Sequence, residues 1–126
     1  MANEDARSPE ALLPLTPAVF HILLALADGE KHGYAIMREV GTQTAGTIRM
    51  GPGTLYGSIQ RMLKDGLIVE LREHADPAHG DERRRYYRLT GFGQRVLHAE
   101  AQRLEKLVHI AQNKRILPGL GPIGGA

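Results

Sequence analysis

Between Gly51 and Ile68 the chain places short hydroxyls, a tyrosine and two cations on one side of an amphipathic pattern. Leu55, Ile59, Met62 and Leu63 recur at i, i+4, i+7 and i+8, which puts them on one face of a helix. Thr54, Ser58, Arg61 and Lys64 fall largely on the other face, with Tyr56 and Gly57 between. Hydroxyls and cations bond phosphate oxygens and base edges, and a helix is the element that fits the major groove of duplex DNA. An ordinary amphipathic surface helix has the same pattern, so the segment alone leaves both readings open. Gly57 adds a hint. It costs a helix about 1 kcal/mol relative to alanine, a cost more readily borne where backbone must approach another surface closely.

Two further clusters carry reactive side-chain types. Arg83, Arg84 and Arg85 form the densest basic run. Strand alternation sends Arg84 to the side opposite Arg83 and Arg85, so the three cannot share one groove. His74, Asp76, His79 and Asp81 are metal-ligand types in an H-x-D-x-x-H-x-D spacing. A loop containing proline and glycine fixes no coordination geometry and offers no supporting shell, so a solvated loop tip is expected and no metal. Gly51-Pro-Gly lacks the lysine and spacing of a phosphate loop. The absence of cysteine excludes disulfides, thiolate metal sites and cysteine nucleophiles, and fits a reducing cytoplasm. Neither catalysis nor a cofactor is expected.

These residues must be held by a small scaffold. The 126 residues suffice for one domain with a modest core, and 42% apolar with 24% charged is ordinary globular composition. No apolar run reaches the ~18 residues of a membrane span, and the acidic start lacks the apolar core of a secretory signal. The net charge of +2 says little, but its placement says more. Residues 1–30 carry one arginine against five acids (1 − 5 = −4), whereas residues 31–64 carry five cations against Glu39 alone (5 − 1 = +4). A local basic face is what phosphate binding requires.

Thr16-Pro17 predicts a helix start, with a capping hydroxyl followed by proline at the first helical position. The following run from Val19 to Ala27 is apolar almost all round and must be mostly buried, with Asp28-Gly29 ending it. A second helix is expected from about His32 to Thr44, then a polar turn to Met50. Pro52 opens the third helix and Asp65-Gly66 closes it. The period then changes to that of strands: residues 67–72, a loop from His74 to Asp81, and Arg83–Leu89 form a β-hairpin. Thr90 caps a long last helix in which Leu97, Ala101, Leu104, Val108 and Ala111 step by 4, 3, 4 and 3, the seam of a coiled coil.

Three helices and a hairpin make a winged helix-turn-helix, with the third helix in the major groove and the hairpin loop on the backbone or minor groove. Six motifs in order then carry a family resemblance: Leu15-Thr-Pro17, His32-Gly-Tyr-Ala-Ile36, Gly51-Pro-Gly-Thr-Leu-Tyr56, Leu63-Lys-Asp-Gly-Leu-Ile68, Arg85-Tyr-Tyr-Arg-Leu-Thr90 and Gly93. Over about Leu15 to Leu117 the chain resembles the PadR-like transcriptional regulators, in their shorter form with a single C-terminal helix. The resemblance implies a dimer, usually a repressor, that reads a pseudo-palindromic operator. It implies that Thr54, Tyr56 and the polar face of the third helix meet DNA, that Tyr34 sits close to the DNA backbone, and that the C-terminal helix builds the dimer. Many members respond to a small molecule, some binding aromatic compounds between subunits. With no tryptophan, this chain cannot build an aromatic clamp from that residue.

The expected architecture is therefore mainly α with a β-hairpin. Residues 1–14 form a flexible segment, 15–90 the winged helix-turn-helix, 91–117 a dimerisation helix and 118–126 a disordered tail. The expected DNA contacts are Tyr34, Thr54, Tyr56, Gly57, Ser58, Arg61, Lys64, Arg83 and Arg84. The expected dimer contacts are Leu97, Ala101, Leu104, Val108 and Ala111. The partners are double-stranded DNA, a second copy and a small-molecule effector, with no membrane. The competing reading is a winged-helix module that binds protein instead of nucleic acid.

Overall fold

A computed structural model describes residues 7–75 and 83–119. In chain order, α1 (Pro17–Ala25) is followed by β1 (Lys31–His32), α2 (Gly33–Gln43) and α3 (Pro52–Lys64). The hairpin strands β2 (Ile68–Ala75) and β3 (Arg83–Leu89) and the long α4 (Gly91–Asn113) complete the chain. The mainly helical fold with a hairpin and a long last helix is thus the one expected, with one addition. The sheet has three strands, in the order β1–β3–β2, all antiparallel. Two residues are too few to show a period, so β1 left no signature in the sequence.

The helix starts follow from local chemistry. Thr16 Oγ1 accepts the Val19 N–H at 3.2 Å, with Pro17 at the first position. Thr90 Oγ1 accepts the Gly93 N–H at 2.9 Å and also lies 2.6 Å from the Gly66 carbonyl, to which it donates, joining the start of α4 to the end of α3. Gly66, at φ 76, supplies the left-handed residue that turns the chain out of α3. α1 ends at Ala25, earlier than Asp28-Gly29 suggested, and Gly29 (φ 143) serves the turn beyond it. In that turn Lys31 Nζ donates to the Ala25 carbonyl at 2.6 Å and to Asp28 at 2.5 Å, with Glu39 at 3.5 Å. Burial works against the charge on Lys31, but Asp28 and Glu39 outweigh it and raise its pKa above the ordinary lysine value.

The core gathers Ile22 and Leu23 of α1, Ile36 and Val40 of α2, Leu55, Ile59 and Met62 of α3, and Phe92 and Val96 of α4, with Ile68 and Tyr87 from the hairpin. Fully burying side chains of this kind contributes about 1.5–3 kcal/mol each. α4 sits hard against the hairpin's start. A Cβ at Gly93 would collide with the backbone carbonyl of Leu67, so only glycine fits there. Before α1, a 3-10 turn at Pro9–Leu12 lies against α4, and the Leu15 N–H donates to Glu100 at 3.0 Å. Glu100 is 2% exposed, and its carboxylate is held by Arg103 through bonds of 2.5 and 3.0 Å. The bond from Arg103 outweighs the opposing effect of burial, and with the Leu15 N–H it lowers the Glu100 pKa below the ordinary carboxylate value.

Candidate nucleic-acid interface

Six of the nine expected DNA contacts lie on α3. Leu55, Ile59 and Met62 are fully inside, while Thr54, Tyr56, Gly57, Arg61 and Lys64 are exposed and Ser58 is half-buried. The two faces therefore divide as the spacing predicted. Gly51 caps the helix without a side-chain bond, which leaves the positive end of the helix dipole open to an acceptor. Arg61 and Lys64 stand in the last turn, where cations also favour the helix's negative end. Nothing lies within 4 Å of where a Cβ would sit on Gly53 or Gly57, so no internal contact requires either glycine.

Tyr56 has two jobs in this geometry. Its ring and hydroxyl lie directly on Gly33, the first residue of α2, where any side chain would strike them. It nonetheless remains 41% exposed. Tyr34, 49% exposed, is the next residue of α2, and the Arg38 guanidinium lies 5.2 Å from its ring centroid. Beneath them Tyr87 is buried, and burial first, then Glu70 and Tyr56, raises its hydroxyl pKa. Arg38 is absent from the sequence-based set of contacts. Its i+4 spacing from Tyr34 was the available signal.

The basic surface is smaller than the charge count implied. Lys31 contributed to the excess over residues 31–64, yet it is bonded inward at the end of α1, which leaves Arg38, Arg49, Arg61 and Lys64. At the hairpin, Arg83 and Arg84 pair in register with Ala75 and His74 across a shift after Leu71. Arg85 points outward and faces Glu70 at 3.7 Å, an exposed pair of small energetic weight. His74, expected to open the loop, instead lies in β2 opposite Arg84, because the strand pairing runs on to Ala75; Asp76, His79 and Asp81 of the metal spacing, and the expected loop contacts at residues 76–82, lie outside the described residues. Among the described residues no group of three acidic or histidine side chains is placed to hold a metal.

On α4, Leu97 packs against its own core, Ala101 is exposed, and Leu104, Val108 and Ala111 are half-buried. The expected seam omits the two exposed large apolar residues of the helix, Leu107 and Ile110, each 49% exposed. Both continue the row that is buried at Val96 and Glu100, one position behind the predicted seam and with the same 4–3 stepping. Leu24 on α1, expected to be covered, is also exposed.

A polar recognition-type helix carried by three helices and a small antiparallel sheet defines a winged-helix protein of the class that reads nucleic acid. Residues 22–99 match the model of the transcriptional regulator PadR-like family, and the chain belongs to that family, one of regulators and not of enzymes. It is 36% identical over 87 residues to the transcriptional regulator Rv3488 of Mycobacterium tuberculosis, spanning 69% of this chain and 75% of that protein. It is 38% identical over 86 residues to an uncharacterized 37.1 kDa protein of transposon TN4556 from Streptomyces fradiae, which covers 68% of this chain but only 22% of that longer protein. Among solved structures, a PadR-like regulator of Bacillus cereus superposes with a TM-score of 0.65 at 22% identity over 87% of this chain and 95% of its own. Bacillus subtilis PadR, solved in complex with operator DNA, superposes with a TM-score of 0.55 at 22% identity over 64% of this chain and 44% of its own. Among the described residues no helix is long and apolar enough to cross a membrane.

Proposed function

We propose that the chain acts in the cytoplasm as a homodimeric repressor that reads a pseudo-palindromic operator through α3 and is released by a small-molecule effector. The observation that carries the reading is the unpartnered outer face of α3. It has open space over two glycines, hydroxyls at Thr54 and Ser58, and the cations Arg61 and Lys64. Tyr34, Tyr56 and Arg38 extend that face toward phosphate, and Arg83 and Arg84 of the hairpin are further contacts on this reading. The operator-bound Bacillus subtilis PadR is a relative in fold that supports this reading. Two reading helices in one dimer enter successive major grooves roughly 34 Å apart and block polymerase at the promoter. The second copy docks along α4 through Leu104, Val108 and Ala111, joined by Leu107 and Ile110.

The test is binding to duplex DNA from the promoter beside the protein's own gene, measured across a salt series. A steep fall in affinity with salt is expected, because phosphate contacts release counterions. A salt-independent or absent interaction would favour a protein-binding module instead. Replacing Tyr56 and Arg61 together by alanine is expected to weaken the complex at least tenfold and to flatten the salt dependence. A well-folded dimer with unchanged affinity would remove α3 as the reading element.

A further inference from the structure

A cavity of about 490 Å³ lies between the N-terminal arm and α3, within one subunit. Its floor is apolar, from Leu12, Leu15, Val19, Met62 and Leu67. Its rim on α3 is polar: Thr54, Ser58, Arg61 and Asp65 run along one edge at helical spacing. Small-molecule sites have volumes of about 300–1,000 Å³ and combine an apolar lining with a few converging polar groups.

Three observations point to an occupant. First, Gly53 and Gly57 both border the cavity and keep open space where alanine would add a methyl group. Gly57, in the helix interior, costs about 1 kcal/mol, and no neighbour in the protein demands either glycine. Second, the Thr54, Ser58, Arg61 and Asp65 side chains have no hydrogen bond or ion pair among the described residues, although they converge on one opening. Third, the charge along the rim is graded. The uncapped, positive end of α3 lies by Thr54, and Arg61 stands further along the rim, in the last turn, with Asp65 beyond it. That arrangement selects one acceptor group between Thr54 and Arg61 and disfavours a second anion near Asp65.

We propose that this cavity is a ligand site for a small amphiphile with a ring-sized apolar body and a single anionic head. The head bonds Arg61 with the Thr54 and Ser58 hydroxyls, and the body lies on Leu15, Val19 and Met62. The rim is shared with the DNA-reading face through Thr54, Gly57, Ser58 and Arg61. An occupant therefore excludes DNA directly, with no change in the angle between subunits. This last step rests on the reading of α3 given under Proposed function; the cavity itself does not.

The probe is 1-anilinonaphthalene-8-sulfonate, which has the required aromatic body and single sulfonate, titrated into the full chain with fluorescence as the readout. One saturable site per subunit is expected. Val19→Trp, which fills the floor, should weaken it at least tenfold, and Leu12→Trp, on the arm outside the central core, should do the same should the first variant fail to fold. Probe binding that is undiminished in a folded variant would place the probe elsewhere, such as the exposed face of α4, and overturn the site. No binding to the unaltered chain would overturn it too. Promoter duplex in excess should displace the probe, and saturating probe should raise the apparent Kd for duplex at least tenfold. Simultaneous binding of both would overturn the shared rim. Failure of the duplex to bind at all would instead strike the proposed function, leaving the cavity standing on the fluorescence results.

Discussion

α3 and α4 bury one face each in the same core, and each keeps other residues bare, but only α4 leaves large aliphatic side chains uncovered. On α3 the uncovered side is glycine, hydroxyl and cation, with Leu55, Ile59 and Met62 wholly inside. On α4 the exposed surface is mostly polar but also holds Leu107 and Ile110, which prolong a row that is buried at Phe92, Val96 and Glu100. A polar face with open backbone suits a rigid polyanion, whose charge it meets without burying apolar surface. An apolar face that outruns its own domain suits a surface that also seeks cover, and a second copy supplies one by symmetry. On the proposed function, the chain separates what it reads from how it pairs, along two helices that meet at the base of the hairpin, where α3 ends and α4 begins.

The sharpest way to break this contrast is to make the α4 face polar. Leu107→Glu with Ile110→Glu should raise the dimer dissociation constant at least about a thousandfold, since two-fold symmetry removes four buried side chains worth about 1.5–3 kcal/mol each. Sedimentation equilibrium reads this directly, and an unchanged dimer would mean the exposed row is not the interface. Smaller, and confined to the fold, is Gly93→Ala. The added methyl meets the Leu67 carbonyl, so a loss of about 1–3 kcal/mol is expected in denaturant unfolding. Wild-type stability there would mean that α4 can shift without cost.

Next comes Glu100→Gln, expected to cost about 1–2 kcal/mol by weakening the bonds to Arg103 and the Leu15 N–H. The direction with pH is fixed by the lowered pKa of Glu100. Its stabilisation is complete above the ordinary carboxylate value and disappears as pH falls through the lower, folded value. Unfolding midpoints of the parent should therefore converge on those of the variant in acid; a constant gap down to the most acidic pH would refute the linkage. The smallest effect separates the two purposes of α3. Gly57→Ala should raise stability by up to about 1 kcal/mol, because nothing opposes the new methyl within the protein, while weakening DNA binding. A variant that gains stability and keeps its DNA affinity would show that the open space over Gly57 does not serve DNA.

Residues that act through near neighbours were legible in the sequence. Thr16, Thr90 and Gly66 announced where elements begin and end, because capping and left-handed turns depend on a few adjacent residues. The split of α3 into inner and outer faces was legible for the same reason, since a helix fixes its own periodicity. What depended on distant partners was not. Lys31 counted as surface charge until its partners in α1 and α2 were seen. The role of Gly33 becomes visible only once Tyr56 lies over it, 23 positions away. The stepping on α4 identified an apolar band but could not tell which row leaves the domain, because that depends on where the body of the fold ends. The cavity beside α3 was invisible for the same reason: its two walls are 40 residues apart and share no local pattern.

The seat of α4 has a mechanical side. With 23 residues, the helix extends about 34 Å from a base where glycine meets backbone with no room to yield. Such a beam magnifies small errors: a tilt of one degree at the base moves the far end by about 0.6 Å at this length. The stiffness of the seat, from the Gly93–Leu67 contact to the Leu15–Glu100 bond, thereby bears on how faithfully any assembly built along the shaft can hold a fixed span.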